Sequence, residues 1–284
     1  MKNIKKFLLT IAMTMALGTS AFAASGFEFL LNVPFGMNVG IPKYTKGLVF
    51  VNEGNMPIGA DVGIDAQIGY MFQVKENFGI SALAELGYSY DIYGFDYNSS
   101  EYISMPISIS GINVNVNANV NYLINCKQAY HSFKIGLLPK FNISVGSKGA
   151  IAIGIGGGVK IPGSGKVTIT TTGDATVTSP IQTTMGFDDK REVAVKRKDI
   201  TDTFSPSVIG YLKVTFDYYL FFTDNIAMNF GLYLGGAFGP DVKDLNIVSR
   251  ISGFDFSPQL NDTKIGANAF DIGLQLGFRY GPKA

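Results

Sequence analysis

From Ala269 to Tyr280 the chain alternates without interruption. Phe270, Ile272, Leu274, Leu276, Phe278 and Tyr280 share one face, and Asp271, Gly273, Gln275, Gly277 and Arg279 share the other. A period of two is a β-strand with one apolar and one polar side. The apolar side finishes in aromatics, while the polar side carries charges and glycines. The same pattern recurs in seven further segments. Strands that are apolar on one face and charged on the other can close into a barrel with its greasy side outward.

The N-terminus indicates where such a barrel would sit. Lys2, Lys5 and Lys6 make a positive start, Phe7 to Leu17 is a short apolar core, and Ala21-Phe22-Ala23 is an A-x-A cleavage site. Residues 1–23 are therefore expected to be a signal peptide cleaved near Ala23. The apolar core is too short for an anchoring helix, and no run of about 18 apolar residues follows it. If the exported chain enters a membrane, it must do so as a closed barrel, the other structure that satisfies every backbone group in lipid. The expected fold class is all-β: an antiparallel up-and-down transmembrane β-barrel in an outer membrane, with residues 24–284 as one domain. Lys and Arg number 23 against 22 Asp and Glu, which gives no electrostatic case for nucleic acid. Cys126 is the only cysteine, so no internal disulfide framework exists.

Eight segments are assigned to the wall: 27–41, 58–73, 78–92, 103–123, 133–145, 208–222, 226–238 and 269–280. The fourth slips phase near Gly111, which reads as a β-bulge. Short links near 74–77, 124–131 and 223–225 alternate with long ones near 42–57, 93–102, 147–206 and 239–265. Short periplasmic turns and long extracellular loops are the habit of outer-membrane barrels. Folding the segments up and down places Phe27, Phe29, Tyr70, Phe72, Phe78, Tyr122, Phe133, Phe222, Phe278 and Tyr280 at the periplasmic ends, as an aromatic girdle. A soluble sandwich also alternates, but has no reason to gather aromatics at one end of every strand. One segment stays open. Either the fifth strand projects above the membrane, or Ser147-Lys148-Gly149 is a tight outer turn and 150–161 is another strand, paired near 167–178, making ten. The Thr-rich partner suits lipid poorly, so eight strands with an extracellular loop at about 147–206 are preferred.

With strands, girdle and loop asymmetry in place, the chain resembles the small outer-membrane β-barrel proteins of diderm bacteria, the OmpA- and OmpX-like group. The resemblance covers nearly the whole mature chain and is architectural. Its most specific local element is Asp271-x-Gly273-x-x-Leu276-x-Phe278, ending at Tyr280, which looks like the signal read by the barrel-assembly machinery. The resemblance thus implies that machinery and outer-membrane lipid as partners. The group hosts pores, adhesins, evasion factors and enzymes, so it does not choose a function.

Barrel enzymes of that group resemble one another in needing a histidine. His131 is the only one, is expected in a short periplasmic turn, and has no matching Ser or Asp pair, so no enzymatic role is expected. The same counts exclude metal sites with several His or Cys ligands, and no cofactor is expected. Ile161-Pro-Gly-Ser-Gly-Lys166 fails the phosphate-loop pattern at Lys160 and Val167. Inward-facing charges are the richest feature. Glu28, Asp61, Asp65, Glu85, Asp91, Asp217 and Asp271 face Lys134, Lys140, Lys213 and Arg279, and the fourth strand adds Asn113, Asn115, Asn117, Asn119 and Asn121. They would line a narrow pore or, since eight strands leave a lumen that side chains fill, pair up as a plug. The plug is preferred. Glu28 and Arg279 are expected to meet across the barrel seam. Lys190-Arg191 and Lys196-Arg197-Lys198 form a basic cluster in the longest loop, diluted by Asp188, Asp189, Glu192 and Asp199. The expected role is a barrel presenting loops to a surface ligand the sequence does not identify; the alternative is a small channel.

Overall fold

A computed structural model describes residues 25–44, 58–109, 112–179, 182–242 and 265–284. The expected signal peptide lies outside them. In chain order the elements are β1 (Gly26–Tyr44), β2 (Ile58–Lys75), β3 (Phe78–Ile109), β4 (Ile112–Leu137), β5 (Lys140–Val145), β6 (Gly149–Ser179), β7 (Thr183–Lys196), α1 (Arg197–Thr203), β8 (Phe204–Ser205), β9 (Ile209–Phe221), β10 (Ile226–Val242) and β11 (Ile265–Tyr280).

All pairings are antiparallel. The wall runs β1, β2, β3, β4, β6, β9, β10, β11, and β11 pairs back onto β1 with Phe29 opposite Tyr280 and Ile41 opposite Asn268. β5 continues β4 past Pro139 and pairs with both β3 and β6, so it completes the same stave. Pro139 has no N–H to give the ladder, which accounts for the interruption. The result is a closed ring of eight staves.

The period of two sets the two surfaces. On β11 the outward residues Phe270 to Tyr280 are 45–59% exposed, whereas Asp271, Gln275 and Arg279 are at most 7% exposed. Every stave repeats this inversion of a soluble protein, with Phe27, Ile64, Leu86, Phe133, Ile155, Phe216 and Leu232 outward and exposed. At about 3.3 Å per residue and a tilt near 40°, Phe270 to Tyr280 spans a band about 25 Å tall, the height of a lipid-facing belt.

The structure moves two of the expected staves. The segment 103–123 does not cross the membrane. β3 runs without a break to Ile109, and β4 returns from Ile112 with Ile109 opposite Ile112. The slip expected near Gly111 lies outside the described residues; the strands on either side of it form one long antiparallel pair. The expected turn at 124–131 is continuous β4, and His131 sits in strand opposite Tyr90. The fourth stave is the lower part of β4 with β5, and the fifth is Gly149 to Ile161 of β6. Ser147-Lys148-Gly149 does close a tight turn, aided by Gly146 at φ +65°, but at the basal end beside the Asn77 turn. Gaining the 149–161 stave while losing the 103–123 one leaves the count at eight. The loop expected at 147–206 thus begins as wall.

The girdle changes with it. Phe27, Tyr70, Phe72, Phe278 and Tyr280 stay basal and Phe141 joins them, but Phe133 lies at the outer end opposite Tyr88. The Tyr122 side chain lies outside what is described.

Candidate functional site: a plugged lumen below a projecting sheet

The inward positions interlock in tiers. At the base, Arg279 Nε donates to Glu28 Oε1 at 2.6 Å across the β1–β11 seam, and both are 2% exposed or less. The Ser81 hydroxyl donates to the same carboxylate, and Asn142 donates to Ser81 at 2.7 Å. The guanidinium carbon lies 4.8 Å from the Tyr219 ring centre and 5.3 Å from that of Phe221, a cation–π cradle. One tier up, Lys140 Nζ lies 2.9 Å from Asp217, which also accepts from Thr215 at 3.1 Å and Gln275 at 2.5 Å.

The middle tier is a four-charge network. Lys134 lies 2.6 Å from Asp65, and Lys213 lies 2.8 Å from Glu85 and 3.4 Å from Asp65. Gln67 and Tyr211 donate to Glu85 at 2.8 and 2.9 Å. At the outer tier Lys160 pairs with Asp91 at 2.7 Å, Ser89 donates to Asp91 at 2.7 Å, and Tyr233 donates to Asp61 at 2.5 Å. Tyr233 reaches Asp61 by passing over Gly36 and Gly273, where any Cβ would collide with its hydroxyl. Asp271 is 7% exposed and faces the same tier. A charge taken out of water must be paired, and each lumen cation stands within 2.9 Å of a carboxylate. The cavity left among Asp61, Lys134, Lys160, Tyr233 and Asp271 measures about 30 Å³, room for a water or two.

Lys160 was not among the expected lumen charges. Its signal was present: it is even-numbered within the 151–161 alternation, so it had to face inward once that segment became wall. The asparagine row expected inward faces outward where it is described, the Asn113 side chain lying outside the described residues. Asn115 to Asn121 occupy odd positions of β4, the same parity as outward-facing Phe133 and Ile135. They lie on the outside of the projecting sheet, where Asn117 accepts from Ser104 at 2.7 Å and Asn121 from Ser100 at 2.8 Å.

Both mouths are covered. At the base the tail turns under the barrel. Gly281 N donates to Asn225 O at 2.8 Å, Arg279 Nη2 to Pro282 O at 2.7 Å and Lys283 Nζ to Gly146 O at 2.6 Å, while the Ser144 hydroxyl donates to Ala284 O. At the outer end Tyr93, Tyr130, Val195, Ile200, Ile209, Ala237 and Ala269 form an apolar cluster. Ile200 is delivered to it by α1. Arg197 pins that helix by donating to Pro162 O at 3.0 Å and to Ser207 O at 2.6 Å.

Above this cluster β3, β4, β6 and β7 continue as a four-stranded antiparallel sheet. From Tyr93 to Ile109 it extends about 50 Å along the strand. A shift of register between His131 and Ser132 marks where it leaves the wall. Its axis-side face carries Val116, Val120, Ile169, Val177, Met185 and Phe187, and its outer face Asn119, Asn121, Thr170, Thr172, Lys190 and Glu192.

His131 lies on the outer face at the membrane rim. Its Nδ1 stands 2.5 Å from the Tyr88 hydroxyl and its ring 4.7 Å from that of Tyr90. Its ladder partner across β6 is Ser164, and its side-chain hydrogen bond goes to Tyr88. No cluster of His, Cys, Asp and Glu suited to a metal occurs among the described residues.

No protein-family model and no curated protein matches the chain. Similar solved structures include Ail, the attachment invasion locus protein of Yersinia pestis, at 6% identity over 87% of this chain and 97% of that one, with a TM-score of 0.23. Outer membrane protease OmpT from Escherichia coli gives 11% identity over 90% and 98%, with a TM-score of 0.24. The translocator domain of autotransporter NalP from Neisseria meningitidis gives 8% over 97% and 97%, with a TM-score of 0.22. Likeness at this level is architectural and carries nothing about activity; the barrel itself rests on its closed hydrogen-bonded ring.

Proposed function

We propose that this outer-membrane barrel is a surface-interaction protein: a sealed stave ring that holds a four-stranded sheet clear of the membrane for contact with a partner outside the cell. The observation that carries the reading is the lumen. Each of its cations stands within 2.9 Å of a carboxylate, the cavity described at its outer tier is about 30 Å³, and both ends are covered. A pathway for solute needs sites weak enough to leave, not interlocked pairs. Function on such scaffolds is carried by what the rigid ring displays, and here the display is strand-built. We assign no catalytic role to His131, whose near neighbours are Tyr88 and Tyr90.

Planar-bilayer recording tests the choice. The sealed barrel should insert without sustained conductance at physiological salt. Stable ohmic steps from the intact chain would favour the small-channel alternative instead.

A further inference from the structure

Going up the outward face of β4, Leu137, Ile135 and Phe133 are 66%, 44% and 52% exposed. The next outward residues are His131, Ala129 and Lys127. The surface therefore passes from apolar to basic within one pair of residues, at the height where lipid tails give way to headgroups. Register brings more cations to that height. Ala129 lies opposite Lys166, which lies opposite Ala194; His131 lies opposite Ser164, which lies opposite Lys196. Lys127, His131, Lys166 and Lys196 thus occupy one outward patch, about 10 Å wide across three strands. Two acids touch the patch: Glu192 is shared by Lys166 and by Lys190 at 3.1 Å, and Asp199 accepts from the Lys196 backbone N–H at 2.8 Å. Lys127 and Lys196 form no ion pair among the described residues. Asp188 and Asp174, opposite Thr172 and Gly186, bound the patch from above.

We propose that this patch binds the phosphate groups of an outer-leaflet glycolipid headgroup. The patch faces sideways, in the plane of the headgroups, and is continuous with the lipid belt below it, which is why a membrane lipid is the occupant rather than a soluble anion. Lysines are suited to phosphate as mobile point charges. His131 adds a ring nitrogen to the patch: its Nδ1 is engaged by the Tyr88 hydroxyl, which leaves Nε2 on the side away from the tyrosine. The assignment requires the sheet to be outside the cell, a matter decided separately by proteolysis of intact cells.

The test uses the full mature chain refolded in detergent and titrated with phosphorylated lipopolysaccharide, with the same lipid after phosphate removal, and with inorganic phosphate. Bound lipid is counted by native mass spectrometry. The phosphorylated lipid should bind, and the other two should not. Replacing Lys127, Lys166 and Lys196 together by Gln should weaken binding about a hundredfold, at about fivefold per lysine. Circular dichroism and heat-dependent gel migration of the variant should match wild type, and Lys148→Gln at the opposite end should change nothing. Equal binding of the dephosphorylated lipid would overturn the proposal by making the belt alone responsible. Inorganic phosphate that competes at equal concentration would overturn the lipid assignment. If binding is lost but intact cells protect the sheet from protease, the topology has failed and the chemistry has not.

Discussion

At the residue scale, the seam pair shows how the lumen is stabilised. Glu28 and Arg279 are buried, and each is left without compensation if the other is removed. Arg279→Met should destabilise the barrel by about 3–5 kcal/mol. Adding Glu28→Gln should recover most of that loss, because the stranded charge goes too. Urea unfolding in micelles measures both; a double variant no better than the single would show that Arg279 acts through its cradle of Tyr219 and Phe221 and not through charge. On the opposite face, Phe278 is 59% exposed to lipid. Phe278→Asp should abolish membrane assembly, since a carboxylate enters the belt and the proposed assembly signal Asp271-x-Gly273-x-x-Leu276-x-Phe278 is lost with it. Normal outer-membrane levels of this variant would refute both arguments.

At the element scale, α1 and the β6–β7 hairpin carry the sharpest expectations. Cys126 packs against the cluster that Ile200 completes, and burial pushes its thiol up to about 11. Alkylation at pH 8 should therefore be slow, because the thiolate is scarce. Arg197→Ala removes the hydrogen bonds that tie α1 to Pro162 and Ser207, and should speed alkylation at least several-fold. An unchanged rate would mean that α1 stays docked by Ile200 alone. β7 ladders with β6 among the described strands and carries Asp188, Asp189, Lys190, Arg191 and Glu192, charges of the kind that discourage further edge pairing. Trypsin added to intact cells should cut near Lys190 to Lys198. Protection until the outer membrane is breached would invert the topology.

At the scale of the whole molecule, the barrel is closed by parts remote from one another in sequence. The tail residues Gly281 to Ala284 seal the base through Asn225, Gly146 and Ser144. Truncation after Tyr280 should still assemble, unlike Phe278→Asp. It should lose about 2 kcal/mol of stability, mostly the charge-assisted hydrogen bond from Arg279 to Pro282. Unfolding midpoints of the truncated and full chains in the same lipid read this directly, and coincident curves would show the tail to be a passive appendage.

Much of the fold was legible because alternation is a local property. The outward and inward faces of β1, β2, β9, β10 and β11, the short links near 74–77 and 223–225, and the barrel class follow from which side chains tolerate lipid. Those same faces placed Glu28 and Arg279 on the inside before any pairing was known. Height was not legible. A strand of 26 or 32 residues such as β4 or β3 keeps the same alternation inside and outside the membrane, so alternation alone does not mark where the bilayer ends. That level is set by hydrogen-bonded register with neighbours around a closed ring, a long-range condition. The tertiary structure therefore decided that 103–123 rises above the lipid, that 149–161 is wall and brings Lys160 inward, and that the asparagines of β4 look outward. The sequence by itself determined the two faces of each strand, because burial energy acts on single side chains. Only the closed sheet decided how high each strand stands, because register exists only between strands.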